Sequence, residues 1–229
     1  MNKKKERFVT EIGMFNINFI KNLKVENLLI GILVVFYSVG IIGTSITSFQ
    51  DFFLSLSTYN LLLSFFVALV ALELKTPRVY LFIASCYVIT MLAEWIGTST
   101  GLLFGNYWYG NNLDPKMMGV PLIIGINWWL LVVGSHAISG FLNIKGFLKP
   151  IVSAVLMTLM DFIMEPVAIK SDFWHWKNEI IPLYNYFCWF VIAYILHLVL
   201  QSVDQAKPNK VHAVLFLIMA VFFVVLNLN

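Results

Sequence analysis

Residues 148–166 read LKPIVSAVLMTLMDFIMEP, a run as long and apolar as a membrane-crossing helix that nevertheless carries two carboxylates, Asp161 and Glu165. A bilayer core takes about 20 apolar residues per helix. An ionisable group within such a span is costly and tends to face a bundle interior, where it does something. Four residues apart on a helix, the two acids share one face about one turn apart. A third acid, Glu94, is embedded in the apolar run 79–97 in the same way. Chemistry, if the chain performs any, is expected around these three groups.

Working outward, further apolar runs appear at about 28–49, 52–73, 121–142, 183–203 and 211–228, seven in all. The chain of 229 residues is 60% hydrophobic and 12% charged, with a mean hydropathy of +0.84, far too apolar for a soluble domain. The runs are continuous rather than alternating, which argues against a β-barrel. The predicted fold is therefore all-α: a polytopic transmembrane helix bundle of about seven spans. Residues 25–229 would form one transmembrane domain.

Charge sets the orientation. Twelve of the 15 basic residues fall before the first run or in alternate loops, at Lys75, Arg78, Lys145, Lys149, Lys207 and Lys210 among others, and only Lys116, Lys170 and Lys177 fall on the other side. The positive-inside rule then puts the N-terminus in the cytoplasm and the C-terminus outside. Before the first span, Phe8, Val9, Ile12, Phe15 and Phe19 are spaced for one helical face among basic residues. Residues 1–24 are thus expected to be a cytoplasmic interfacial helix on anionic lipid, not a cleaved signal. The localisation expected is a multi-pass protein of the cell membrane, the bacterial inner membrane. Cys86 and Cys188 stand alone in predicted spans and are read as packing residues. There is no internal repeat, P-loop, dinucleotide fingerprint or nucleic-acid-binding stripe, and the oligomeric state is open.

With this orientation, spans three and five both run outward. At 1.5 Å per residue Glu94 lies roughly 22 Å in, Asp161 roughly 20 Å and Glu165 roughly 26 Å. The matching depths predict one shared site in the outer half of the membrane. Two outer loops converge on that level: Gly97 to Pro121, rich in glycine and aromatics, and Phe173-Trp174-His175-Trp176, leading through Pro182-Leu183-Tyr184-Asn185-Tyr186 into the sixth span. Both are able to cap an outward-facing cavity. Each feature also has a structural reading. Glu165, before Pro166, can reach headgroups from a helix end, and Glu94 and Asp161 can serve as hydrogen-bonding anchors. The tryptophans suit an aromatic belt, Asp114 a turn, and His136 and His197, in inner halves of spans, a satisfied core.

The segments Glu94-Trp95-Ile96-Gly97-Thr98-Ser99-Thr100-Gly101, Phe104-Gly105-Asn106-Tyr107 and Gly119-Val120-Pro121-Leu122 resemble the carotenoid biosynthesis membrane family, which contains carotenoid 1,2-hydratases and archaeal bisanhydrobacterioruberin hydratases. The likeness continues through Asp161-x-x-x-Glu165-Pro166-Val167-Ala168, Trp174-His175-Trp176 and Pro182-Leu183-Tyr184-Asn185-Tyr186-Phe187-Cys188-Trp189, in order over roughly residues 80–195. Many members carry Asp-Pro where this chain has Glu165-Pro166, so the acid is kept on a longer side chain.

The resemblance implies a hydro-lyase that adds water across the terminal double bond of an acyclic (ψ) carotenoid end, giving a tertiary alcohol. Its partners would be a lipophilic carotenoid and membrane lipid, without nucleic acid, cofactor or metal. The chemistry suits the residues. An isolated alkene is a poor base and needs a strong proton donor in a dry place. A carboxyl group buried away from water holds its proton near neutral pH, and a second carboxylate nearby strengthens that hold. The resulting cation can be stabilised by another carboxylate and by Trp or Tyr ring faces, after which water adds and gives a proton to a base. The candidate catalytic residues are Asp161 as acid, with Glu165 or Glu94 positioning and deprotonating water. Trp95, Tyr107, Trp174, Trp176, His175 and Asn185 are candidates for binding the end group.

Two other readings stay open. Asp161-x-x-x-Glu165 resembles half of the metal–diphosphate motif of intramembrane prenyltransferases, although a second acidic cluster and cytoplasmic basic partners are missing. Alternatively, the acids form a relay or ligand site in a proton-coupled transporter or membrane binding protein. Their clustering in one leaflet, without an inverted repeat, argues against it.

Overall fold

The computed structural model describes residues 3–73, 75–203 and 207–228, with side chains from Lys24 onward, so the side chains expected to form the interfacial face of residues 1–24 lie outside the described residues. In chain order the elements are α1 (Lys3–Ser45), α2 (Gln50–Ser55), α3 (Ser57–Val70), α4 (Pro77–Thr100), β1 (Tyr107–Tyr109), β2 (Lys116–Met117), β3 (Val120–Pro121), α5 (Ile123–Phe141), α6 (Leu148–Lys170), β4 (Trp174–Trp176), a 3₁₀ turn (Lys177–Glu179), α7 (Leu183–Val203) and α8 (Lys210–Leu228). The architecture is an all-α polytopic bundle, and the chain is an integral membrane protein.

Among the described residues six helices are long and apolar enough to cross a membrane: Lys24–Ser45 of α1, and α4, α5, α6, α7 and α8. The predicted second span, 52–73, is corrected. It breaks at Leu56 into α2 and the 14-residue α3. Even so, α3 joins both ends of the bundle. Near its start Thr58 donates to the Asp114 carbonyl at 3.3 Å, and after its end the Ala71 carbonyl accepts from Asn209 at 2.6 Å. The basic residues Lys75, Lys149, Lys207 and Lys210 line cavities at the Asn209 end, whereas Lys116 pairs with Asp114 at the other.

α5 is the central helix. Its most apolar stretch is 83% buried, against 28–50% for the other five spans. Small residues let its neighbours close in, the general solution for helices packed in lipid. Outward-facing Leu81, Phe162 and Phe187 remain exposed on the surrounding helices, as a lipid-facing surface requires. The ends of α4 are set by local chemistry. Thr76 accepts from the Val79 amide, Pro77 occupies the first turn, and Gly101 closes the helix at φ 68°. That fixes Glu94 about two turns before the end.

α6 continues through Pro166 to Lys170, and Glu165, about one and a half turns short of the helix end, is buried rather than reaching outward. Packing against neighbouring helices tolerates the proline, and Asn227 of α8 donates to the Ile163 carbonyl at 2.8 Å in the turn ahead of it. Beyond α6 the chain doubles back, and β4 pairs antiparallel with β1, in register Tyr107↔Trp176, Trp108↔His175 and Tyr109↔Trp174. The loops after α4 and α6 therefore share a short ladder that roofs one end of the bundle.

Candidate active site

The three carboxylates converge. Glu94 of α4 and Asp161 and Glu165 of α6 are all buried and line one cavity, together with Tyr107, Tyr109, Trp128, Trp174, Trp176, Asn185 and Trp189. It holds about 380 Å³ between side chains, open mouth included. The ladder decides which roof residues enter. Side chains alternate along a strand. Tyr107 and Tyr109 of β1 and Trp174 and Trp176 of β4 therefore point inward, while Trp108 and His175 lie together on the opposite face, ring centroids 5.9 Å apart and planes tilted by 31°.

Each acid meets a different set of donors. Glu94 is clamped: its Oε2 accepts from Tyr107 at 2.5 Å and Tyr109 at 2.8 Å, and its Oε1 from the Trp128 indole at 2.9 Å. Glu165 accepts on Oε2 from Trp174 at 3.0 Å and Trp176 at 2.7 Å, and on Oε1 from Asn185 at 3.3 Å. Asp161 accepts from the same Asn185 amide on Oδ2 at 2.7 Å. Its Oδ1 is buried and has no hydrogen-bond partner among the described residues. One amide thus ties two carboxylates together, and one oxygen of the set is uncommitted.

The phenols are kept as donors. Burial, and then the Glu94 carboxylate, hold the Tyr107 and Tyr109 hydroxyls well above the ordinary tyrosine range. The Tyr107–Glu94 contact also depends on Gly97, where a Cβ would come 2.8 Å from the Tyr107 hydroxyl and 2.9 Å from the Phe104 ring. Trp128 is held for its bond by stacking on Trp189, ring centroids 4.0 Å apart and planes at 15°.

A family model described as carotenoid biosynthesis protein matches residues 56–229. The chain belongs to this carotenoid biosynthesis family. The matched residues include α3 to α8 and both strands of the roof, so every acid and every donor above lies within the family's region. A role in carotenoid biosynthesis follows from membership. No curated protein and no solved structure matches the chain.

Of the residues singled out from sequence, Glu94, Asp161, Glu165, Tyr107, Trp174, Trp176 and Asn185 line the cavity. Two do not. Trp95 follows Glu94 on α4, rotated by about 100°, and is 41% exposed on the outside of the bundle. His175 has the wrong strand parity and instead sits 2.7 Å from Asp172 Oδ1 on the outer face. Asp172 also accepts from the Asn111 amide at 2.9 Å, and these bonds, that from His175 first, hold its carboxyl below the usual range.

Sequence reasoning missed Tyr109, Trp128, Asn127 and Trp189. Tyr109 had a readable signal, since Tyr107-Trp108-Tyr109 alternates as Trp174-His175-Trp176 does. Trp128 had none, being one of two adjacent tryptophans, both buried. His136 and His197 stack on each other away from the carboxylates, at 5.8 Å, with His197 Nε2 3.1 Å from Ser135. Cys86 and Cys188 are buried free thiols.

Proposed function

We propose that this protein is a carotenoid hydratase, adding water across the terminal double bond of an acyclic carotenoid end to give a tertiary alcohol. The observation that carries this reading is Asp161 Oδ1, a buried carboxyl oxygen without a partner among the described residues, lining an aromatic-walled cavity beside a second carboxylate. Two carboxylates on one amide repel if both are ionised, and a proton held between them relieves that repulsion. Oδ1 is the oxygen available to carry it.

In this mechanism the Asp161 proton adds to the CH carbon of the trisubstituted alkene, and the π-electrons form the new C–H bond. Positive charge develops on the gem-dimethyl carbon. Glu94, with three donors on its two oxygens, has the geometry of an ionised carboxylate, and its charge and the aromatic lining of the cavity stabilise the cation. Water adds through oxygen, and the oxonium proton passes to the Asp161–Glu165 pair, restoring the starting state. The indole donors on Glu165 keep that acceptor in place. Net, one alkene and one water give one alcohol.

The test is expression in a host that makes lycopene or γ-carotene, followed by liquid chromatography and mass spectrometry of the pigments. A product heavier by one water, absent from an Asp161→Asn/Glu165→Gln variant at matched membrane abundance, supports the assignment. Unchanged pigment in every such host rejects it.

A further inference from the structure

A second cavity adjoins the first. It holds about 540 Å³, mouth included, between α1, α3, α5, α6 and α8, and is lined mainly by apolar side chains such as Leu61, Leu113, Met219 and Phe223. The two cavities share Ile124, Asn127, Met164 and Trp174 as a common wall. Trp174 works on both sides, because its indole N–H is bound to Glu165 while its ring lines the second cavity. Asn127 is the polar member of the wall.

The rim of this second cavity carries Ser57, Phe222 and Phe223, all partly exposed. Ser57 is the first residue of α3, directly after the break at Leu56. The interruption of the second span therefore lies at the mouth of an apolar cavity that shares a wall with the carboxylate site. In a chain surrounded by lipid, such a mouth admits molecules already dissolved in the bilayer.

We infer that the second cavity holds the chain of a linear isoprenoid next to its reacting end, with the α2–α3 break as the entrance from the membrane. The inference rests on the hydratase reading for the identity of the reacting end. The first cavity is roofed by β1 and β4 and crowded by carboxylate, tyrosine and tryptophan side chains, whereas a carotenoid is nearly as long as the bilayer is thick. The rest of the molecule must leave through a side wall. The adjoining cavity offers that route without burying a charged side chain against the polyene. Its apolar lining suits a hydrocarbon.

The experiment reads bound pigment rather than turnover. Wild type, Asp161→Asn, Leu61→Trp, Ser57→Trp and Leu217→Trp are purified in mild detergent from lycopene-producing cells, and the polyene absorbance per folded protein is compared after size-exclusion chromatography. Leu61→Trp fills the cavity and Ser57→Trp blocks its partly exposed rim. Leu217→Trp is a control on an exposed face of α8. Wild type, Asp161→Asn and Leu217→Trp should retain pigment, and the two blocking variants at least ten-fold less.

Wild-type pigment levels in both blocking variants overturn the inference. So does a wild type that carries phospholipid and no pigment. Loss of pigment in the blocking variants of a protein that never hydrates the polyene supports the cavity assignment while rejecting the hydratase reading, so the two failures are distinguishable.

Discussion

Asn185 donates its side-chain amide to Asp161 Oδ2 at 2.7 Å, leaving Oδ1 of that buried carboxyl without a partner among the described residues. Glu94 stands in contrast, with both oxygens taken by three donors. The difference sorts the acids by what a neutral amide can do in their place.

Asp161→Asn keeps an oxygen toward Asn185 and puts its NH₂ where no protein donor faces it. It should fold with a thermal midpoint close to wild type while losing about 100- to 10,000-fold in hydration, the usual contribution of a general acid. Glu94→Gln keeps its oxygen on the Trp128 indole, which can only donate, and turns its NH₂ toward Tyr107 and Tyr109, whose hydroxyls must stop donating and accept instead. Losing the two bonds to a carboxylate should cost about 1–3 kcal/mol and lower the midpoint. Thermal unfolding in detergent, alongside pigment conversion, checks both. Equal midpoints for the two variants would contradict the donor geometry.

Trp176→Phe keeps a ring in the roof and removes the 2.7 Å bond to Glu165. We expect a loss of roughly 1–3 kcal/mol, as for a hydrogen bond to a charged group. Trp174→Phe removes the 3.0 Å bond to the same oxygen. The double variant should be non-additive, because both indoles serve one acceptor. Simple addition in a double-mutant cycle would mean that the two bonds act independently.

Gly97→Ala places a methyl against the Tyr107 hydroxyl and the Phe104 ring. Both side chains are buried and have little room to retreat. The phenol should be driven off Glu94, with a cost of about 1–3 kcal/mol from overpacking and reduced conversion. Gly97→Ala combined with Tyr107→Phe should recover little activity, since the donor is lost either way. Full activity in Gly97→Ala alone would show that the Tyr107 contact is dispensable.

The roof should respond to pH at both extremes. Asp172 has its folded value depressed by the bonds from His175 and Asn111. Its contribution is present above the unfolded value of about 3.9 and is lost as pH falls through the lower folded value. Tyr107 and Tyr109 are shifted upward. Their contribution is present below the unfolded value of about 10 and is lost as pH rises through the folded values. Hydrogen exchange at the Asn111 amide, corrected for intrinsic rate, should accelerate in acid and lose that dependence in Asp172→Asn. Tyrosinate absorbance from the two phenols should appear only with unfolding.

Part of the site was legible because helices carry their geometry in the sequence. Asp161 and Glu165 share a face at i and i+4 whatever surrounds them, and counting residues from the charged span ends put Glu94 at the same level. Strand parity was written in Trp174-His175-Trp176, yet His175 was grouped with its neighbours because no local signal says that the segment pairs at all. Its partner, β1, lies on the far side of two helices in the chain. Trp95 was drawn in by adjacency to Glu94, which on a helix is a reason for two residues to diverge.

The sequence by itself determined the membrane, the helical bundle, the asymmetry of its basic loops and the meeting of three acids at one depth. These follow from run length, charge and the helical repeat, all local quantities. The tertiary structure decided which carboxyl oxygens are occupied, which aromatics face inward and where the second span breaks. Those depend on donors and packing partners contributed by remote segments, Tyr107 to Glu94, Trp128 to Glu94 and Asn185 to Asp161. A hydrogen bond is a matter of tenths of an ångström between side chains, and no residue-by-residue pattern in the chain encodes that distance.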